Sequence, residues 1–127
     1  SFLYDVRQAS SGCCLKIIIE SGELVTAQQV AKATELVIEG GADFVKSSTG
    51  KTVVGITEEA ARIMLTVIAA SERAVGFEAS GGVRTVEQAL SLLQMYEEIT
   101  GKIATSAGMR IGASALVFEL AELLRAA

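Results

Sequence analysis

Four short strand-like segments, the first nearly continuously apolar, recur about every 30 residues along the chain, and a stretch of helical periodicity follows each of them. They cover residues 13–20, 42–46, 74–78 and 109–111. Strands without polar alternation are covered on both faces, the condition of parallel strands joined by crossover helices. The intervening helices carry their own punctuation. Thr26 with Gln29, and Thr85 with Gln88, have capping-box spacing, and Gly40-Gly41 and Gly101 stand where helices stop. Thr57-Glu58-Glu59 puts acidic residues in a first turn, where the helix dipole favours them. Val30, Ala33, Val37 and Ile38 form one apolar stripe; Met64, Leu65, Val67 and Ile68 form another. Ahead of the first strand, Phe2, Leu3 and Val6 are expected on one side of a short helix, and Gly112-Ala113-Ser114 opens a last one. The chain of 127 residues has the size of one domain, taken as residues 1–127. Its order is four βα units, which fits an open doubly wound sheet or half of a (βα)8 barrel.

Composition narrows the chemistry. The formal net charge of −4 argues against nucleic acid or an anionic membrane as a main partner, but not against a small phosphorylated metabolite, which local charge and backbone N–H groups hold. With no histidine, acid–base or nucleophilic chemistry must use Lys, Asp, Glu, Tyr, Cys or hydroxyl groups. Adjacent Cys13 and Cys14 are poorly placed for a disulfide and form no metal-ligand pattern. Within a strand they are expected as buried, reduced thiols, in keeping with a cytoplasmic protein. No apolar run is long enough for a membrane span.

Strand periodicity groups the charges. If Lys46 points inward, so does Phe44, and the matching set is Lys16, Ile18 and Glu20, then Gly76 and Glu78, then Arg110 and Gly112. Charges then stand at the C-terminal ends of several parallel strands, where α/β folds place their sites. One such charge is ordinarily a solvated strand end; five on four strands fit that description less well. Lys46 is either an amine nucleophile toward a carbonyl or a salt-bridged structural lysine. Ser48-Thr49-Gly50-Lys51-Thr52 has the end of a phosphate-binding P-loop but lacks its earlier glycine, so an open-sheet nucleotide binder is disfavoured.

Residues 41–51, Gly41-Ala42-Asp43-Phe44-Val45-Lys46-Ser47-Ser48-Thr49-Gly50-Lys51, closely resemble the signature of deoxyribose-phosphate aldolases around their Schiff-base lysine. Leu15-Lys16-Ile17-Ile18-Ile19-Glu20 with Gly22-Glu23-Leu24 resembles that family's fifth strand and loop. Val75-Gly76-Phe77 with Gly81-Gly82-Val83-Arg84-Thr85 resembles its seventh, and Arg110-Ile111-Gly112-Ala113-Ser114 its eighth. The resemblance implies the second half of a TIM barrel. It also implies a retro-aldol reaction that cleaves 2-deoxyribose 5-phosphate to acetaldehyde and glyceraldehyde 3-phosphate. Lys46 would form the imine, whose iminium serves as electron sink, so neither metal nor organic cofactor is required. Lys16 and Glu78 complete the candidate catalytic set. Lys51, Gly50, Gly81, Gly82, Gly112 and Ser114 match positions near the family's phosphate site, and a phosphate site built from the last two loops recurs in TIM barrels.

The chain also departs from the family pattern. Glu78 stands where the family carries a second lysine, one that favours the neutral form of the nucleophile by like-charge repulsion. A carboxylate does the opposite, so a Lys46–Glu78 ion pair and weak or absent aldolase activity are expected. The family's earlier strands and their catalytic aspartates have no counterpart; Asp5 precedes the first strand. Half a barrel leaves two edge strands and an interior face open, which predicts a two-fold homodimer of half-barrels or a partner chain. Two readings follow: an impaired aldolase, or a non-catalytic, self-associating scaffold that binds phosphate or a phosphosugar.

Overall fold

A computed structural model describes residues 1–127. Helix α1 (Phe2–Ala9) precedes four βα units: β1 (Lys16–Ile18) and α2 (Ala27–Glu39), β2 (Phe44–Lys46) and α3 (Glu58–Ala70), β3 (Gly76–Ser80) and α4 (Val86–Thr100), β4 (Met109–Gly112) and α5 (Ala115–Ala126). All strand pairs are parallel and the sheet order is β1-β2-β3-β4. That order decides between the two architectures: a doubly wound sheet reverses its strand order at a switch point, whereas a barrel adds each strand beside the last. Helix α2 packs on α3, α3 on α4 and α4 on α5, forming one outer layer. The fold is half of a (βα)8 barrel.

The core lies between the sheet and this helical layer. Val45, Ala61, Met64, Leu65, Phe77 and Ala79 are wholly buried there. Local chemistry sets the helix ends. Both expected capping boxes form, Thr57 caps α3, and Gly101 closes α4 in the left-handed conformation. No helix is long and apolar enough to cross a membrane.

On the opposite face, in-register pairing aligns Lys16, Phe44 and Gly76 in one row and Ile18, Lys46, Glu78 and Arg110 in the next. The Phe44 ring lies against Gly76, where a Cβ would sit 2.3 Å from Phe44 Cε1. The Arg110 guanidinium covers that ring at 4.3 Å from its centroid. Phe44 is therefore buried although it faces the open interior.

Four sequence expectations need correction. Cys13 and Cys14 are exposed free thiols, not buried strand residues. The chain joins the sheet only at Leu15, whose N–H donates to Asp43 Oδ2 at 2.7 Å, and the cysteines fall in the turn before that clamp. Phe2 is exposed, while Leu3 turns inward against Gly40. The third strand runs two residues further than expected, to Ser80, because Ser47 Oγ accepts its N–H at 2.9 Å and extends the pairing. The first strand stops at Ile18, and Glu20 leaves the inward set: its φ of 52° turns the chain into a 3-10 turn at Ser21–Glu23.

Candidate active site

Parallel, in-register neighbours project side chains to the same face, so the pairing of Lys46 with Glu78 brings their charged ends together. Lys46 Nζ lies 3.2 Å from Glu78 Oε1, and Lys16 Nζ reaches Oε2 of the same carboxylate at 2.7 Å. One nearly buried carboxylate thus serves two amines, each on a different strand. Burial pushes the Glu78 carboxyl up, but hydrogen bonds from Lys16 and Lys46, with their charges, outweigh it and hold the group below its ordinary value. Gly112 leaves room for the pair; a Cβ there would stand 3.0 Å from Glu78 Oε1. The expected Lys46–Glu78 ion pair is thus present, and Lys16 joins it.

Beside this cluster lies an open pocket at the C-terminal rim. Its wall combines Lys46 with residues 48–51, 80–84 and 112–115. Every candidate phosphate residue, Lys51, Gly50, Gly81, Gly82, Gly112 and Ser114, lines it. Its charged lining residues are Lys46, Lys51 and Arg84, and none is acidic. Gly81 and Gly82 take positive φ values of 95° and 80°, which a side chain would resist. The amides of Gly81, Gly82 and Val83 donate to no protein acceptor, so three N–H groups remain unspent at this rim. Ser114 stands at the N-cap of the 12-residue α5, and its side chain makes no cap bond to the helix. A wall of cations, unspent amides and a helix start suits a small anion.

A buried serine lattice ties the two glycine-bearing loops together. Ser47 Oγ donates to Ser80 O at 2.8 Å, and Ser80 Oγ donates to Ser48 O at 2.6 Å while accepting from Ser48 N at 3.2 Å. The start of the loop after Lys46 is therefore bolted to the end of β3, just before Gly81. Ser47, Ser48, Ser80 and Arg84 were not singled out by sequence. For Ser47, Ser48 and Ser80 the signal is a serine at the end of an otherwise apolar strand, because a buried hydroxyl demands a partner; exposed Arg84 gives no such sign.

These features place an amine at a barrel rim next to a wall of cations and unspent amides. Comparison with known proteins agrees on the family. Residues 10–116 match the DeoC/LacD family aldolase profile. The structure is similar to that of a protein described as a deoxyribose-phosphate aldolase from Coccidioides immitis, with a TM-score of 0.79 and 31% identity over 96% of this chain and 44% of that one. It is similar to QR15, an aldolase, with a TM-score of 0.75 and 30% identity over 97% of this chain and 49% of that one. A protein described as a deoxyribose-phosphate aldolase from Toxoplasma gondii ME49 superposes with a TM-score of 0.90 over 98% of this chain and 50% of its own; at 20% identity this speaks to the fold alone. The chain belongs to the DeoC/LacD aldolase family and spans about half the length of these solved relatives.

Proposed function

We propose that this half-barrel carries the amine and the phosphate site of a class I aldolase acting on a phosphorylated sugar aldehyde, 2-deoxyribose 5-phosphate in the first instance. Lys46 Nζ adds to the aldehyde carbon, water leaves, and the resulting iminium accepts the electron pair as the carbon–carbon bond breaks. Glyceraldehyde 3-phosphate departs, and hydrolysis of the remaining adduct returns acetaldehyde and the free amine. The carrying observation is the position of Lys46 at the C-terminal end of β2, on the wall of a pocket whose other charged lining residues are Lys51 and Arg84. Glu78 damps this chemistry, because a carboxylate 3.2 Å away stabilises the unreactive ammonium.

The same ion pair favours a second reading, a phosphate-binding scaffold without turnover, in which Glu78 engages both amines in salt bridges. Trapping separates the two. Acetaldehyde and borohydride should leave an ethyl adduct on Lys46, read by intact mass and peptide mapping. No adduct, or adducts scattered over surface lysines, would leave only the scaffold.

In either reading the other half of the barrel comes from a second half-barrel, in the simplest case another copy of this chain related by a two-fold axis. The outer edges of β1 and β4 pair with no strand, and Phe2 on α1 and Val117, Phe118 and Leu124 on α5 expose apolar surface. Light scattering on the eluting peak should give twice the chain mass; the mass of a single chain would refute the homodimer.

A further inference from the structure

We infer that Glu20 is a positioning residue: its carboxylate sets the shape of the loop that carries Lys51 to the cationic pocket, and with it the pocket's affinity for phosphate. The inference rests on the reading of that pocket as a phosphate site.

Glu20 is the only non-glycine residue with positive φ, at 52°, a conformation that persists where the surroundings over-determine it. What holds it is the neighbouring loop. Oε1 accepts from Ser48 Oγ at 2.7 Å and from Thr49 N at 3.2 Å, while the single proton of Thr52 Oγ1, 3.3 Å away, goes to Val54 O at 2.8 Å. Oε2 accepts from Thr49 Oγ1 at 2.7 Å and shares Thr49 N at 3.3 Å. These bonds hold the carboxyl below its ordinary value, those of Thr49 and Ser48 foremost.

The two hydroxyls pass the constraint onward. A hydroxyl has one proton, so donation to Glu20 leaves its lone pairs for other donors. Ser48 Oγ accepts Gly50 N at 3.0 Å, and Thr49 Oγ1 accepts Lys51 N at 3.1 Å. Two parallel relays therefore run from one carboxylate, through a hydroxyl, to the amides of Gly50 and Lys51. Residues 49–51 make no other hydrogen bond to the body of the protein. The glycine loop opposite is fixed by Ser47 and Ser80, but this one depends on Glu20. A glutamine would keep the side-chain shape and offer one acceptor where two are used, setting an NH2 donor against the donors of Thr49 or Ser48.

The test is a titration of the full chain with inorganic phosphate, comparing the parent with Glu20→Gln, Lys51→Met and the double variant, beside amide exchange at Gly50 and Lys51. Glu20→Gln should weaken phosphate binding about tenfold and speed both amides, and Lys51→Met should cost less in the Glu20→Gln background than in the parent. A purely structural clamp would not produce that coupling. Unchanged affinity in folded Glu20→Gln, or strictly additive losses, overturns the inference. If the parent binds no phosphate, the pocket reading and this role fall together, and faster exchange in Glu20→Gln then shows a loop clamp and nothing more. Should Glu20→Gln not fold, Thr49→Val cuts one relay alone and should still weaken phosphate binding; no loss there refutes the role.

Discussion

Lys46 Nζ and Glu78 Oε1 stand 3.2 Å apart on adjacent parallel strands, and the backbone pairing that puts them opposite each other leaves neither side chain a choice of face. The pair is a consequence of register. Changing one residue therefore changes the sign of the field at the other without moving the scaffold. Glu78→Lys replaces a carboxylate by an ammonium, removes the ion pair and should raise the rate at which Lys46 attacks a carbonyl, by about tenfold. The rate of borohydride-trapped adduct at Lys46 measures this. A rate no better than the parent's would mean that Glu78 is not what restrains the amine.

The acid limb of stability follows from the same carboxylate. Glu78 is held below its ordinary value of 4.5, and Asp43 below 3.8 through the N–H of Leu15 and the Arg7 guanidinium. A folded-state value below the unfolded one means that the unfolded chain binds more protons as pH falls. The stabilisation is thus fully present above the ordinary values and is lost as pH drops through the depressed ones. Thermal unfolding should show Tm falling steeply below about pH 4.5, and Glu78→Gln should flatten that slope. At neutral pH the same variant should cost about 1–3 kcal/mol, toward the lower end because both lysines are partly hydrated. An identical acid slope in the variant would show that other carboxylates carry the transition.

Gly76 is required by Phe44. A methyl group on Gly76 would meet the edge of the Phe44 ring at 2.3 Å, and the ring is pinned from its face by Arg110. Gly76→Ala should therefore destabilise by about 1–3 kcal/mol through overpacking, read from chemical denaturation. The cost should shrink in a Phe44→Leu background, where the clash is relieved. A neutral effect in the parent background would show that the ring moves aside freely.

How far these relationships were legible in the sequence depends on their range. Capping boxes and stop glycines are local, and Thr26, Thr57, Thr85 and Gly101 all behave as their spacing predicts. The inward face shared by Lys16, Lys46, Glu78 and Arg110 was also legible, because period-two alternation and in-register parallel pairing leave little freedom. The half-barrel was not fixed by pattern alone, since strand order is a long-range property; the resemblance around Lys46 supplied it. The exposed Cys13 and Cys14 were missed because an apolar run gives no sign of where pairing begins, which Asp43 determines from 28 residues away. Glu20 escaped for a related reason. A left-handed residue at the end of a strand-like run breaks the alternation that placed it inward, and only the hydroxyls of the next loop explain why it does so.

The cationic wall makes the last prediction. Lys51 and Arg84 line one pocket from two different loops, so their charges act on one volume. Lys51→Met and Arg84→Met should each weaken binding of inorganic phosphate by about tenfold, as expected for loss of a charge-assisted contact. Lys32→Met on the outer helix α2, where Lys32 meets only Glu35, should leave affinity unchanged at physiological ionic strength. Phosphate titrations of the three variants decide between a built site and diffuse attraction. Equal losses in all three would mean that net charge, and not this wall, holds the anion.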